Sequence, residues 1–255
     1  MTRQLPWLCV CALLCCSSSL LTACGGPKEA KVNVPPPPAI AANEPAEDTV
    51  SHQASAPAYR DEETLEAPAG RNKPLLVETG LASWYGAPYN HRRGSNGEVY
   101  NMHAMTAAHR TLPLGSTVRV TNLKTGHSAV VEITDRGPFV TGRILDLSQA
   151  AAKKIDVWGA GVAMVRLEVL RAPAPLNHGG RWAVQIGAFE KEHVAGKFAD
   201  HLSRRYQTAK VQCFGSPVGD WWVRVRVQDD DRKRAEEVAH NTRTSEGDIF
   251  LVRLD

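Results

Sequence analysis

An aspartate at the end of an alternating apolar stretch is the first residue of this chain that could do chemistry. In VVEITDRGPF, residues 130–139, Val131 and Ile133 share one face of a predicted strand, and Asp135 follows it just before a glycine-proline turn. A carboxyl in this position either fastens the turn or works as an acid. An acid near neutral pH needs partial burial or a second negative charge nearby. Arg136 should point to the opposite face of the strand, because consecutive side chains alternate.

Short alternating segments surround this aspartate from residue 75 to residue 171. They read GLASWYG, STVRVTNL, HSAVVEITD, RILDLS and VAMVRLEVL, and one short helix is predicted at QAAAKKI. So many short strands favour a closed β-barrel, because closure removes unpaired strand edges. Residues 172–180, APAPLNHGG, are expected to form a linker.

Residues 181–255 follow a different pattern. RWAVQIGAF, AKVQCF, WWVRVRV and DIFLVRL alternate as strands, and two helical stretches lie between them. The resulting order βαββαβ predicts a small α+β sandwich of the ferredoxin-like or RNA-recognition type. Gln185, Arg224 and Arg226 should lie on the sheet face opposite the apolar core. VQIGAF lacks the closely spaced aromatics that stack bases, which argues against nucleic acid as a partner.

The first 74 residues differ in composition from the rest. Residues 1–23 have a basic start, an apolar middle and then small residues, which is the build of a secretory signal peptide. Residues 24–74 are rich in proline, alanine and acidic residues and show no apolar period, so we expect a disordered tether.

The net charge and the positions of cysteines and histidines indicate which partners and cofactors to expect. The net charge of +3 is too small to indicate a nucleic-acid partner. Five of the six cysteines fall in the first 24 residues, which leaves Cys213 as a thiol expected to be buried or half-buried in a strand. The nine histidines show no metal-ligand spacing, and no glycine-rich phosphate loop is present, so neither a metal nor another cofactor is expected.

Three stretches of the sequence resemble known modules. LLTACGG, residues 20–26, resembles the lipobox of bacterial lipoproteins, in which the residue corresponding to Cys24 is acylated; a chance cysteine is the alternative. ASWYG, GEVYNMHAMTAAHRTLPLGSTVRVTNLKTG and TDRGPFVTGRILDLSQAAA closely resemble the rare lipoprotein A (RlpA) family, whose central domain is a six-stranded double-psi β-barrel. WAVQIGAF and WWVRVRV resemble the SPOR domain.

The resemblance implies a fold, an activity and a location. It implies a double-psi barrel followed by a SPOR domain, in an outer-membrane lipoprotein that faces the periplasm and gathers at the division septum. The implied activity is that of an endolytic lytic transglycosylase, which cleaves MurNAc–GlcNAc links in peptide-free glycan strands and forms 1,6-anhydro ends. One well-placed acid suffices for this reaction, because the sugar's own 6-hydroxyl replaces an activated water. Denuded glycan and, through the lipid anchor, the outer membrane are the implied partners, with divisome proteins left open.

Residue roles follow from the same resemblance. Asp135 corresponds to the catalytic acid, Glu98 to a second carboxyl, and His109 to a residue that orients the acid or contacts substrate. From the residues alone, the favoured interpretation of Glu98 is a turn residue and that of His109 a structural histidine. The residues expected to contact substrate are Tyr85, Asn101 and Arg136 in the barrel, and Gln185, Phe189, Trp222 and Arg224 in the SPOR-like module.

The chain departs from the family pattern in two places. Where the family reads F-H-G-R-x-T-A-[SN]-G-E-x-[YF]-D, residues 89–101 read YNHRRGSNGEVYN, so that Asn101 replaces an acid and cannot titrate. The departures at Asn90, His91, Gly94, Ser95 and Asn101 leave a weak or inactive septal glycan-binding lipoprotein as the alternative to an enzyme. A wall-loosening protein without cleavage is a third hypothesis, suggested by the shared barrel type. QDDD, residues 228–231, is expected to alter the start of a helix more than the glycan face.

Overall fold

The computed structural model describes residues 73–255. The predicted signal peptide, the predicted acylation site Cys24 and the predicted tether lie outside these residues. None of the helices formed by residues 73–255 has both the length and the apolar character needed to cross a membrane.

The first part of the described chain is a closed barrel of six strands. The strands are β1 (Leu76–Trp84), β2 (Thr106–Ala108), β3 (Thr117–Asn122), β4 (Ser128–Asp135), β5 (Arg143–Leu147) and β6 (Ala163–Arg171). They follow the order β1-β5-β2-β4-β3-β6 around the barrel. The pairs β1–β5 and β2–β4 run parallel, whereas the other neighbours run antiparallel. The predicted six-stranded barrel is confirmed.

Alternation along β3 and β4 builds the core of the barrel. Val118 and Val120 on β3, with Val131 and Ile133 on β4, are 0% exposed. Burying each of these side chains contributes about 1.5–3 kcal/mol before entropy is subtracted. This core fixes the path of β4 and therefore the position of Asp135 at its end.

Two short helices, α1 (Gln149–Lys154) and α2 (Val157–Ala160), follow β5. Helix α1 is the one predicted from QAAAKKI, and it begins at Ser148, whose hydroxyl accepts a hydrogen bond from the Ala151 N–H at 3.2 Å. The four residues of α2 and the three of β2 were not predicted, because elements so short show no period.

The second part of the described chain is the predicted α+β sandwich. Its elements are β7 (Trp182–Phe189), α3 (Glu192–Arg205), β8 (Lys210–Gly215), β9 (Trp221–Arg226), α4 (Arg232–Asn241) and β10 (Asp248–Arg253). The four strands form an antiparallel sheet in the order β10-β7-β9-β8. The order βαββαβ is confirmed, and the two helices cover one face of the sheet through Ala195, Leu202, Ala235 and Val238.

Two further predictions concern this domain. Cys213 lies on strand β8 as expected, but it is exposed rather than buried, because β8 is the edge strand of the sheet. The QDDD stretch does form a helix start: residues 228–230 make a single 3-10 turn, and Asp231 Oδ1 accepts a hydrogen bond from the Arg234 N–H at 2.9 Å at the beginning of α4.

Candidate active site

A groove of about 660 Å³ lies between the end of the barrel that carries Asp135 and the helix-free face of the sheet. Its volume is typical of small-molecule sites, which span about 300–1,000 Å³. The barrel side of the groove includes Tyr85, Tyr89, Arg92, Arg93, Ser95, Asp135, Arg143 and Asp146, and the sheet side includes Gln185, Phe214, Asp220, Trp222 and Arg224. A second cavity of about 380 Å³ beside α4 contains none of the predicted site residues.

Asp135 is held in the groove by one of its two carboxylate oxygens. Oδ1 accepts hydrogen bonds from the Ser95 N–H at 3.0 Å, the Ser95 hydroxyl at 2.5 Å and the Arg136 N–H at 2.7 Å. Oδ2 accepts none from any residue between 73 and 255. The carboxylate therefore fastens the neighbouring loop with one oxygen and offers the other to a ligand.

Glu98 and Asn101 lie on the loop that Asp135 fastens. With Asp135 they line a small cavity of about 100 Å³ that adjoins the groove. Glu98 Oε2 accepts a hydrogen bond from Asn96 Nδ2 at 2.8 Å, and Asn101 Oδ1 accepts one from the His103 N–H at 2.9 Å. The structure thus brings both predicted residues close to Asp135. The acceptor oxygen of Asn101 makes a turn contact that an aspartate could also make.

His109 lies behind Asp135 and not in the groove. Its imidazole is 5% exposed, and Nδ1 accepts hydrogen bonds from the N–H groups of Thr111 at 3.1 Å and Leu112 at 3.0 Å. The ring proton therefore belongs on Nε2, which lies 3.3 Å from Glu78 Oε2. Burial lowers the pKa of His109 and keeps the ring neutral. The His109 N–H donates to the Asp135 carbonyl at 3.1 Å, so this residue supports the end of β4 from behind.

Asp146 on β5 is a groove carboxyl that was not predicted from the sequence. Its side chain is 15% exposed, and Oδ2 accepts a hydrogen bond from Arg143 Nη2 at 3.1 Å. Oδ1 of Asp146 and Nε of Arg143 are buried without a partner among the described residues. Burial raises the pKa of Asp146 to about 6 against the attraction of Arg143 and Arg110. The feature of the sequence that could have indicated this carboxyl is an aspartate inside the short apolar strand RILDLS.

Three tyrosines form an aromatic wall beside the two carboxyls. The Tyr85 ring stacks on Tyr100 at 4.4 Å between centroids and meets Tyr89 edge-on at 5.9 Å. The Tyr100 hydroxyl donates to the Tyr85 carbonyl at 2.8 Å. Burial, together with the charge of Asp135, raises the pKa of Tyr85. Tyr85 therefore lines the groove with Asp135 and stays protonated, and its substrate contact stays a prediction.

Arg136 points away from the Asp135 carboxylate, as the alternation predicted. Its guanidinium donates to the carbonyls of His109 at 3.0 Å and Leu112 at 2.8 Å, and to the main-chain oxygen of Asp255 at 2.6 Å. Burial lowers the pKa of Arg136 to about 10, so it remains charged at neutral pH. These bonds direct both terminal nitrogens to the protein main chain, while Nε is buried without a partner among the described residues. Arg136 also lines the groove, and its substrate contact stays a prediction.

The sheet side of the groove carries three of the four residues predicted in the SPOR-like module. Gln185 Oε1 accepts hydrogen bonds from Arg224 Nε at 3.1 Å and Nη2 at 2.6 Å. The Arg224 guanidinium also lies over the Phe214 ring, 5.1 Å from its centroid. Trp222 lines the groove, whereas the neighbouring Trp221 packs on the helix side of the sheet.

Phe189 lies on the other face of the sheet. It is 1% exposed and packs with Phe198 of α3 at 5.5 Å between ring centroids. Simple alternation along β7 would place Phe189 on the same face as Gln185. The pairing of β7 with β9 shifts register between Ile186 and Phe189, and this irregularity moves the ring to the helix side.

Both domains match known protein families. A family described as lytic transglycolase matches residues 77–167, and the SPOR domain family matches residues 178–248. The barrel and the domain that follows it therefore match two known families, in that order along the chain.

Three relatives illustrate the similarity, and each is named endolytic peptidoglycan transglycosylase RlpA. The protein from Vibrio cholerae is 53% identical over 41% of this chain and 40% of its own length. The protein from Pseudomonas aeruginosa is 47% identical over 61% of this chain and 46% of its own length. The protein from Campylobacter jejuni is 40% identical over 52% of this chain and 55% of its own length.

The chain spans about half the length of the curated relatives it matches. The two family matches nevertheless cover the six-stranded barrel and the SPOR module that follows it. On these matches, the chain is similar to proteins named RlpA, and its two domains match the lytic transglycolase and SPOR families in that order.

Proposed function

We propose that this chain is an endolytic lytic transglycosylase that cleaves peptide-free peptidoglycan strands and leaves 1,6-anhydro ends. The observation that carries the proposal is the Asp135 carboxylate, which is anchored through Oδ1 and open to the groove through Oδ2. The match of this barrel to the lytic transglycolase family supports the same reaction class.

The proposed reaction needs a proton donor and a proton acceptor. Asp135 donates a proton to the glycosidic oxygen as the bond from that oxygen to C1 of MurNAc breaks. The 6-hydroxyl of the same MurNAc then attacks C1, and a new C1–O6 bond closes the 1,6-anhydro ring. The O6 proton passes to a carboxylate, for which we assign Glu98 because it shares the small cavity with Asp135. Solvent exchange restores both groups, and no water is consumed.

The walls of the groove suit a sugar chain. Tyr85 and Tyr89 offer aromatic surface to the C–H faces of sugar rings, and the polar rim offers donors to hydroxyls. Removing the stem peptide leaves a carboxylate on each MurNAc. The guanidinium groups of Arg92, Arg93 and Arg224 in the same groove match that charge, which supports a peptide-free substrate.

Two residues act in this proposal as positioning residues. The Ser95 hydroxyl and N–H orient the Asp135 carboxylate directly. His109 acts through the main chain, since its N–H holds the Asp135 carbonyl and its own carbonyl holds Arg136. The hydrogen bonds of its imidazole fix the loop in which these main-chain groups lie.

We also propose where the protein acts. A lipid on Cys24 would tie the chain to the outer membrane, and the SPOR module would retain it on denuded glycan at the division septum. Divisome proteins are further proposed partners. Replacing Cys24 with alanine should release the protein from the membrane fraction, and a fluorescent fusion should show whether septal enrichment persists.

The test of the enzymatic proposal is the mass of the products. The full chain, purified in detergent, is incubated with amidase-stripped sacculi and with untreated sacculi. We expect glycan fragments ending in 1,6-anhydro-MurNAc, lighter by one water than hydrolysis products, from the stripped sacculi in clear excess. Binding of stripped glycan with no products at any pH would instead support the septal binding lipoprotein. Products that carry a reducing MurNAc would show a hydrolase.

A further inference from the structure

The loop that follows Asp135 also holds the C-terminal sheet against the barrel. Phe139, four residues after the aspartate, packs against Trp222 at 5.3 Å and Phe250 at 5.8 Å between ring centroids. Two residues further on, the Thr141 hydroxyl donates to Asp248 Oδ2 at 2.6 Å. The segment that presents the candidate acid therefore also docks the SPOR sheet.

A second set of contacts fixes the sheet from the other side. The Arg253 N–H, at the end of β10, donates to the Arg110 carbonyl at 3.0 Å. The main-chain oxygen of Asp255 accepts from the Leu114 N–H at 3.2 Å and from Arg136 Nη2 at 2.6 Å. Since Arg136 follows Asp135 directly, the position of the sheet is coupled to the candidate acid through adjacent residues.

This docking places polar groups of the sheet opposite Asp135. Gln185 is 2% exposed and Arg224 lines the groove, while Trp222 closes the wall between the two domains. Burial and the neighbouring Arg226 lower the pKa of Arg224, and the negative charge of Asp135 opposes that lowering. Arg224 Nη1 donates to no residue in the 73–255 segment, which leaves it available to a ligand.

We infer that the barrel and the SPOR sheet form one glycan-binding site, in which a single short oligosaccharide beside Asp135 also contacts Arg224. The SPOR module then supplies a substrate subsite of the active site, and is more than a separate tether for distant parts of the same strand. This inference rests on the proposed function, because it takes peptide-free glycan as the ligand. A groove of about 660 Å³ with walls from both domains is the observation that carries it.

The test is calorimetric titration of the full chain carrying Asp135→Asn, to prevent turnover, with a peptide-free GlcNAc–MurNAc tetrasaccharide. One shared site predicts one class of binding at one ligand per chain. Tyr89→Ala on the barrel wall and Arg224→Ala on the sheet wall should each weaken that class by about tenfold. Two classes of binding, each removed by only one of the two variants, would overturn the shared site, as would unchanged affinity in Arg224→Ala.

Arg226→Ala is the matched control. Arg226 lies two residues along the same strand, pairs with Asp230 at 2.5 Å and does not line the groove. We expect its replacement to change the affinity less than twofold, and an effect equal to that of Arg224→Ala would point to damage of the sheet. Circular dichroism and thermal unfolding check that each variant is folded.

The outcome is separable from that of the enzymatic proposal. Absence of anhydro products from the unmodified chain would end the proposed reaction while leaving a one-class titration intact. Conversely, if the chain forms anhydro products but Arg224→Ala leaves the tetrasaccharide affinity unchanged, the proposed reaction stands and the shared site is overturned.

Discussion

Asp135 and Asp146 stand on two strands of one barrel and face one groove, but their surroundings differ. Asp135 accepts three hydrogen bonds on Oδ1 and offers Oδ2 to the groove. Asp146 has one guanidinium contact, and its Oδ1 is buried without a partner among the described residues. Burial raises the pKa of Asp146 to about 6.

The contrast shows that neighbouring groups give two carboxyls of one groove different properties. A carboxylate held by donors is oriented, whereas one that is buried and only half-partnered keeps a proton closer to neutral pH at a cost in stability. Four predictions test this contrast between the two carboxyls.

The largest effect is expected at Asp135. Asp135→Asn should reduce anhydro-product formation by about 10² to 10⁴-fold, the usual contribution of a general acid. The amide keeps an acceptor oxygen for Ser95, so the fold and the melting temperature should change little. The rate is followed by mass spectrometry of released glycans. Turnover that survives this change but disappears in Asp146→Asn would move the acid to Asp146.

At Asp146 we expect a gain in stability. Its folded pKa lies above its ordinary value, so between pH 3.8 and about 6 the folded protein binds more protons than the unfolded chain, and the free energy of unfolding falls as pH rises. Asp146→Asn removes this loss and should stabilise the protein at pH 7 by about 1–3 kcal/mol. Urea unfolding at pH 4, 5.5 and 7 measures the effect.

Asp156→Asn is the matched control for that experiment. Asp156 is also an aspartate of the barrel domain, but it is exposed, and its Oδ2 lies 2.6 Å from His127 Nδ1. Hydrogen bonds from Thr125 and His127 lower the pKa of Asp156. It should give no stabilisation at pH 7. Equal stabilisation by the two variants would refute the assigned difference in surroundings.

A smaller loss is expected at the loop that Asp135 fastens. Ser95→Ala removes the hydroxyl that donates to Oδ1 but keeps the N–H bond, so the carboxylate should be less well oriented. We expect kcat to fall by about tenfold with little change in KM. Ser95→Thr, which retains the hydroxyl, should restore most of the rate, and a Thr variant as slow as the Ala variant would argue against this role.

The smallest effect is expected at Asn101. An aspartate there could keep the hydrogen bond from the His103 N–H while adding a charge to the small cavity with Asp135 and Glu98. Asn101→Asp should therefore shift the pH profile of kcat, with a change below about threefold at the optimum. Appearance of activity only in this variant would show that the natural chain is a binding protein.

Much of the fold could be predicted because its strands alternate. The apolar positions of β3 and β4 specify which side chains fill the barrel, and the helix stripe from Val194 to Tyr206 specifies the packing of α3. Strand β2 could not be predicted, since three residues carry no period and its pairing depends on β4 and β5. The position of Phe189 depended on a register shift that composition does not reveal.

The candidate site was predictable only where residues are close in sequence or match a family motif. The neighbourhood of Asp135, Glu98 and Asn101 followed from the motif, and the structure brings them to adjoining cavities. The surroundings of His109 depend on Glu78, 31 residues earlier in the chain, and the raised pKa of Asp146 depends on burial in the assembled barrel. Neither could be read from local sequence.

A crystal structure of the chain carrying Asp135→Asn with a bound peptide-free tetrasaccharide would show whether residue 135 and the SPOR sheet contact one glycan. We expect a glycosidic oxygen within hydrogen-bond distance of residue 135, with Arg224 contacting the same oligosaccharide. A tetrasaccharide that contacts only the sheet, or that binds outside the groove, would contradict this expectation.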